Sequence, residues 1–127
     1  MKILLMSLAV IAGVFLFPHF AYGHHGLAAY DSGTTVTLPA TVTAFRFVNP
    51  HCIVEFDVKD DKGQIQNWQG ELTSPNRLSR VGWTATSLKP GEEIAITGYK
   101  AKSGKFTMWI TKMVSASGQE IRIVGGN

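Results

Sequence analysis

An all-β domain with one short helix, a small OB-like Greek-key β-barrel, is the fold class the sequence predicts. Three observations carry it. Apolar residues alternate with a period of two along most of the chain, glycine-containing turn signals cut these runs into short strands, and the single stretch of helical period falls between the third and fourth strands. An immunoglobulin-like sandwich, the competing architecture, has no helix at that point.

The first strand is "TTVTLPATVTAFRFV", in which Val36, Leu38, Ala40 and Val42 share one face. Pro39 lacks an amide donor and is expected to mark an edge or a bulge. Asn49-Pro50 restricts the backbone that enters the second strand. There "HCIVEFDVKD" puts Cys52, Val54, Phe56 and Val58 on one face and His51, Ile53, Glu55 and Asp57 on the other. Cys52 is thereby expected in the core as a small inert hydrophobe, and His51 on the more polar side. "DDKG" is a hairpin turn into the third strand, "QIQNWQGEL". In "TSPNRLSRVGW" the period changes: Ser74 suits an N-cap, Pro75 the first helical position, Leu78 and Val81 lie three apart, and Gly82 ends the segment. "LKPGEEIAITGYKAK" gives a fourth strand, "KSGK" a second hairpin turn, and "FTMWITKMVSASGQEIRIV" a long strand, a turn at Ser117-Gly118 and a short last strand.

The amino terminus reads differently. Lys2 is followed by an uncharged apolar run from Ile3 to Phe17, about 15 residues and so of signal-peptide length. Roughly 20 would be needed to span a bilayer as a helix. Ala21 and Gly23 supply the small side chains that signal peptidase reads, which places cleavage between Gly23 and His24. Residues 1–23 are therefore expected to be a signal peptide, and residues 24–127 one OB-like barrel domain in the periplasm with no stable membrane insertion. Without Lys2, the 12 Lys and Arg against 9 Asp and Glu of the whole chain become 11 against 9, a formal charge of +2. That balance gives no reason to expect a polyanionic partner, and export argues against nucleic acid. Cys52, alone in a chain bound for an oxidising compartment, cannot form an intramolecular disulfide.

The segments "HHGLAAYD", "ATVTAFRFVNPHCIVEFDVKD", "NWQGELTSPNRLSRVGW" and "SLKPGEEIAITGYKAKSG" resemble a family of small exported bacterial proteins of unknown function. The likeness covers nearly all of the chain after the leader. The resemblance implies a His-His mature start, here His24 and His25, an Asn-Pro-His turn at Asn49 to His51, and a Ser-Pro-Asn helix followed by Gly82 and Trp83. It implies a periplasmic OB-like protein and brings no activity with it.

The chemistry the residues offer is imidazole. With His24 as the mature amino terminus, its α-amino nitrogen and Nδ1 can chelate one metal ion, and a third nitrogen from His25 or His51 completes the set. Nitrogen-rich sets of this kind favour Cu(II) among the divalent first-row metals, with Ni(II) and Zn(II) behind. The arrangement resembles the histidine brace of copper proteins. In a second scheme the amino group, the intervening amide and the His25 imidazole bind Cu(II) without help from the fold. The expected function is a periplasmic metal-binding protein, with copper as its ion and His24, His25 and His51 as metal residues.

No catalytic residues are expected and no enzyme. Ser74, His51 and Asp31 include the residue types of a hydrolase triad, but Ser74 is better explained as a helix cap and no nucleophile turn surrounds it. Glu55, Asp57 and Glu71 read as carboxylates of a solvated face. The alternative function is a non-catalytic OB-type accessory module for a glycan, a small molecule or another exported protein. Trp68, Trp83, Trp109, Tyr99, Phe45 and Phe47 would then supply the aromatic face, although a barrel of this length needs most of them for its core. Intact mass of the cell-extracted protein tests the shared premise of both copper schemes: the mature chain should begin at His24, and any other start removes the terminal chelate.

Overall fold

The computed structural model describes residues 26–123. A 3-10 turn, Gly26–Ala29, leads into β1 (Tyr30–Arg46), followed by β2 (Ile53–Lys59), β3 (Ile65–Glu71), the helix α1 (Pro75–Ser79), β4 (Glu93–Ala101), β5 (Thr107–Ser115) and a two-residue β6 (Glu120–Ile121). β1, β2 and β3 form an antiparallel meander, β4 pairs with the other side of β1, and β5 pairs with β4. A parallel contact between β3 and β5 closes the barrel. This is the OB-like barrel the sequence predicts, with β6 appended to the far end of β5. No helix among the described residues is long and apolar enough to cross a membrane.

A 17-residue first strand can serve two neighbours because it bends. It pairs with β4 at Tyr30 and, after a register shift, from Thr35 to Thr41; from Thr41 to Arg46 it pairs with β2. Between Val42 and Ala44 the register shifts against β2, leaving Thr43 as an extra residue. That bulge reverses the inward parity, so Ala40 and Val42 face the core before it and Phe45 and Phe47 pack against the core after it. Pro39 is not the bulge: it stands in register opposite Ala95. The Val42 amide donates to the Glu92 carbonyl on the β4 side, so the Pro39 nitrogen, three residues earlier, faces the opposite edge. Pairing with β2 begins there only at Thr41, and no ladder bond is lost.

A further register shift, at Thr97/Gly98, leaves Thr111 as the extra residue of β5. The Thr111 hydroxyl donates to the Thr97 carbonyl at 3.2 Å. Gly98 is needed there because a Cβ would sit 2.1 Å from the Trp109 carbonyl oxygen, an approach that backbone cannot yield.

The core follows the expected alternation. Cys52, Val54 and Phe56 are buried with Ile96, Met108, Ile110 and Met113. Trp68 and Trp83 join them, Trp68 stacking on Phe56. α1 plugs one end of the barrel with Leu78, which is fully buried, a side chain contributing about 1.5 to 3 kcal/mol on burial. Ser74 caps the helix, its hydroxyl accepting from the Arg77 amide, and Gly82 turns the chain away at φ +93°. The Trp83 indole donates to the Arg122 carbonyl at 2.8 Å and ties the end of the described chain to the core.

Burial pushes the Cys52 thiol above its usual range, with a backbone hydrogen bond at Val48 pulling the other way. The native protein should therefore resist thiol reagents until it unfolds. Labelling at the same rate with and without denaturant would show the β2 register to be wrong.

Candidate functional site

One polar cluster stands out at the end of the barrel where β3 meets β5. Glu71 ends β3 and lies opposite Ile53 on β2 and opposite Trp109 on β5. Its carboxylate joins two distant parts of the chain. Oε2 accepts from the Tyr30 hydroxyl, and Oε1 lies 3.3 Å from His51 Nδ1. An ionised carboxylate can only accept here, so Nδ1 is the ring nitrogen that donates to it. Trp109 presses on both partners: its ring centroid is 5.3 Å from His51, edge-on, and 6.3 Å from Tyr30.

Local sequence explains each position. His51 precedes β2 directly after the Asn49-Pro50 bond, which is cis. The neighbouring Cys52 is held by two backbone bonds, its amide donating to the Thr73 carbonyl and its carbonyl accepting from Leu72. His51 and Glu71 are both partly buried. Tyr30 is buried at the start of β1, and the Lys102 amide donates to the preceding Ala29 carbonyl. Beneath the cluster lies a cavity of about 110 Å³ lined by Tyr30, Ile53, Gln69, Glu71 and Thr107.

Of the predicted metal residues, His51 is placed in this cluster, on the polar face expected for it. His24 and His25 lie outside the described residues. Among the described residues no three His, Cys, Asp or Glu side chains converge as a ready-made metal cage. Asp31 accepts from the Gly33 amide and Ser74 caps α1, each engaged in a local turn. Glu71, read from sequence as a solvated carboxylate, is the centre of the cluster. The sequence held a signal for it: the Asp60 to Gly63 turn sets a register in which Ile53 opposes Glu71, diagonal to His51. Tyr30 had no such signal, because its approach to Glu71 depends on barrel closure.

The profile of a family of unknown function (DUF6152) matches residues 14–109. The chain belongs to that family. No curated protein matches the sequence. The DUF6152 match ends at Trp109, so it takes in every member of the cluster as well as His24 and His25.

Burial, followed by the hydrogen bond and the negative charge of Glu71, raises the Tyr30 hydroxyl well above the ordinary phenol range. Folding thus favours the protonated phenol. The stability this adds is complete below the unfolded value of about 10 and is lost as pH climbs toward the higher folded value. Tyr30→Phe should cost about 1 to 3 kcal/mol at neutral pH and should flatten the alkaline fall in stability measured by urea unfolding. An unchanged alkaline slope would show that Tyr30 is not the group responsible.

Proposed function

We propose that the protein is an exported metal-binding protein of the periplasm, selective for copper, in which His51 joins the imidazole and amino nitrogens of a mature terminus at His24 and His25. The observation that carries this reading is the Glu71 bridge, which ties Tyr30, six residues after His24, to His51. Six residues span at most about 20 Å, and four of them form the 3-10 turn, which rises only about 2 Å per residue. Chain length therefore allows the terminal nitrogens to reach His51, although His51 follows His24 by 27 positions in sequence.

The arrangement of Glu71 supports the same reading. A ligating histidine is usually oriented by a carboxylate on its other ring nitrogen, which fixes the tautomer and makes the coordinating nitrogen more basic. Glu71 stands in that relation to His51, and Tyr30 in turn fixes Glu71. Chelation by the α-amino group and Nδ1 of His24, with His51 Nε2 as a third nitrogen, gives the nitrogen-rich set that suits Cu(II). Holding the ion or passing it on is the role this reading gives the site.

Calorimetric Cu(II) titration of the mature, untagged protein tests this reading. His51→Ala should weaken binding about tenfold or more, and Glu71→Gln by about 10- to 100-fold through loss of the orienting carboxylate. One extra residue before His24 should weaken it most, by removing the amino ligand. Affinity should fall as pH drops through the imidazole range, because the ligands must be deprotonated. If the extended and His51→Ala proteins bind copper as tightly as the parent, the reading is wrong.

A further inference from the structure

β3 pairs with β5 only over Gln69 to Glu71. Toward the start of β3 the two strands part, and the loop between β4 and β5 fills the gap with Phe106. Its ring lies 5.2 Å from Trp68, which stacks in turn on Phe56, and the Gln69 amide donates to the Phe106 carbonyl. Phe106 is thus braced from behind and yet 46 % exposed. Alongside it the outer faces of β2 and β3 present Glu55 opposite Gln69 and Asp57 opposite Asn67. Together these residues line an open groove of about 710 Å³, within the ~300–1,000 Å³ usual for ligand sites.

We propose that this groove binds a neutral oligosaccharide, independently of the metal reading. The charges lining the groove cancel, Arg46 and Lys105 positive, Glu55 and Asp57 negative, and Lys100 beside it is engaged over the Trp68 ring at 5.4 Å. They are also partly spent on one another, since Arg46 pairs with Glu55 at 3.0 Å and the Asn67 amide donates to Asp57 at 2.6 Å. A polyanion gains nothing from such a surface, because its binding depends on uncompensated Lys and Arg. A sugar gains from it twice. Carboxylate, amide and guanidinium groups in a row can each accept from or donate to neighbouring hydroxyls, and the exposed face of Phe106 takes the apolar C–H face of a pyranose ring. The groove is open along its length, which suits a short chain of rings more than a compact cofactor. Phe106 was not among the aromatics singled out in the sequence. Of those, Trp68 and Trp83 are core and Trp109 packs on His51.

Amide NMR titration of the full mature protein with cellotriose, maltotriose and chitotriose, each in turn, tests the proposal, with a heparin tetrasaccharide as the polyanionic control. At least one neutral trisaccharide should move the Asn67, Gln69 and Phe106 signals saturably, and the heparin fragment should not. Phe106→Ala, which removes an exposed ring without opening the core, should weaken binding about tenfold, as loss of one aromatic contact would. Asn67→Ala should weaken it as well. The proposal is overturned if none of the three sugars moves these signals, if only the heparin fragment does, or if Phe106→Ala binds as the parent does.

Discussion

Three residues of parallel pairing, Gln69 to Glu71 against Thr107 to Trp109, close the barrel. The cluster at that end depends on this contact. It sets Glu71 beside Trp109, while the β2–β3 register sets Glu71 opposite Ile53, two residues after His51. The long curve of β1 then delivers Tyr30 to the same place, since Tyr30 pairs with Ala101 at the far end of β4. Side chains from the start of β1, the approach to β2, the end of β3 and the first part of β5 meet because the sheet has no free edge there. The bulges at Thr43 and Thr111 serve the same closure by bending β1 and β5 and increasing their twist where the sheet must curl.

Within that frame Glu71 has two obligations. A carboxylate removed from water needs partners for both oxygens, and it has one for each: a phenol for Oε2 and an imidazole N–H for Oε1. The consequence runs outward from the core. Tyr30, held by burial, fixes Glu71, Glu71 fixes the tautomer and tilt of His51, and Trp109 limits ring rotation from the side. An imidazole restrained in this way loses less freedom on binding a ligand than one on a solvated loop.

Much of the fold was legible because its strands obey period two. The alternation of Cys52, Val54 and Phe56 named the core face of β2, and Ser74-Pro75 named the start of α1. The bulge at Thr43 is less legible: Val42 and Phe45 both point inward, three residues apart, a break in parity that no glycine or proline at Thr43 marks. The candidate site was legible only in part. His51 stood out by its type and its turn, and Glu71 could have been found from the hairpin register. The approach of Tyr30 and Trp109 could not, because it arises from pairing between β3 and β5, which no local pattern encodes. Phe106 was hidden for a similar reason: a phenylalanine beginning an apolar strand reads as core, and only the parting of β3 from β5 leaves it exposed.

On the proposed reading the closed end of the barrel, and not a solvated tail, holds the metal. The most direct measurement is the paramagnetic broadening that substoichiometric Cu(II) produces in the NMR spectrum of the mature protein. A site built on His51 should broaden the Trp109 indole signal and the amides of Ile53 and Glu71 while leaving Lys62, in the turn at the opposite end of the β2–β3 hairpin, sharp. Broadening confined to the first few amides of the mature chain, with Trp109 and Glu71 untouched, would contradict it.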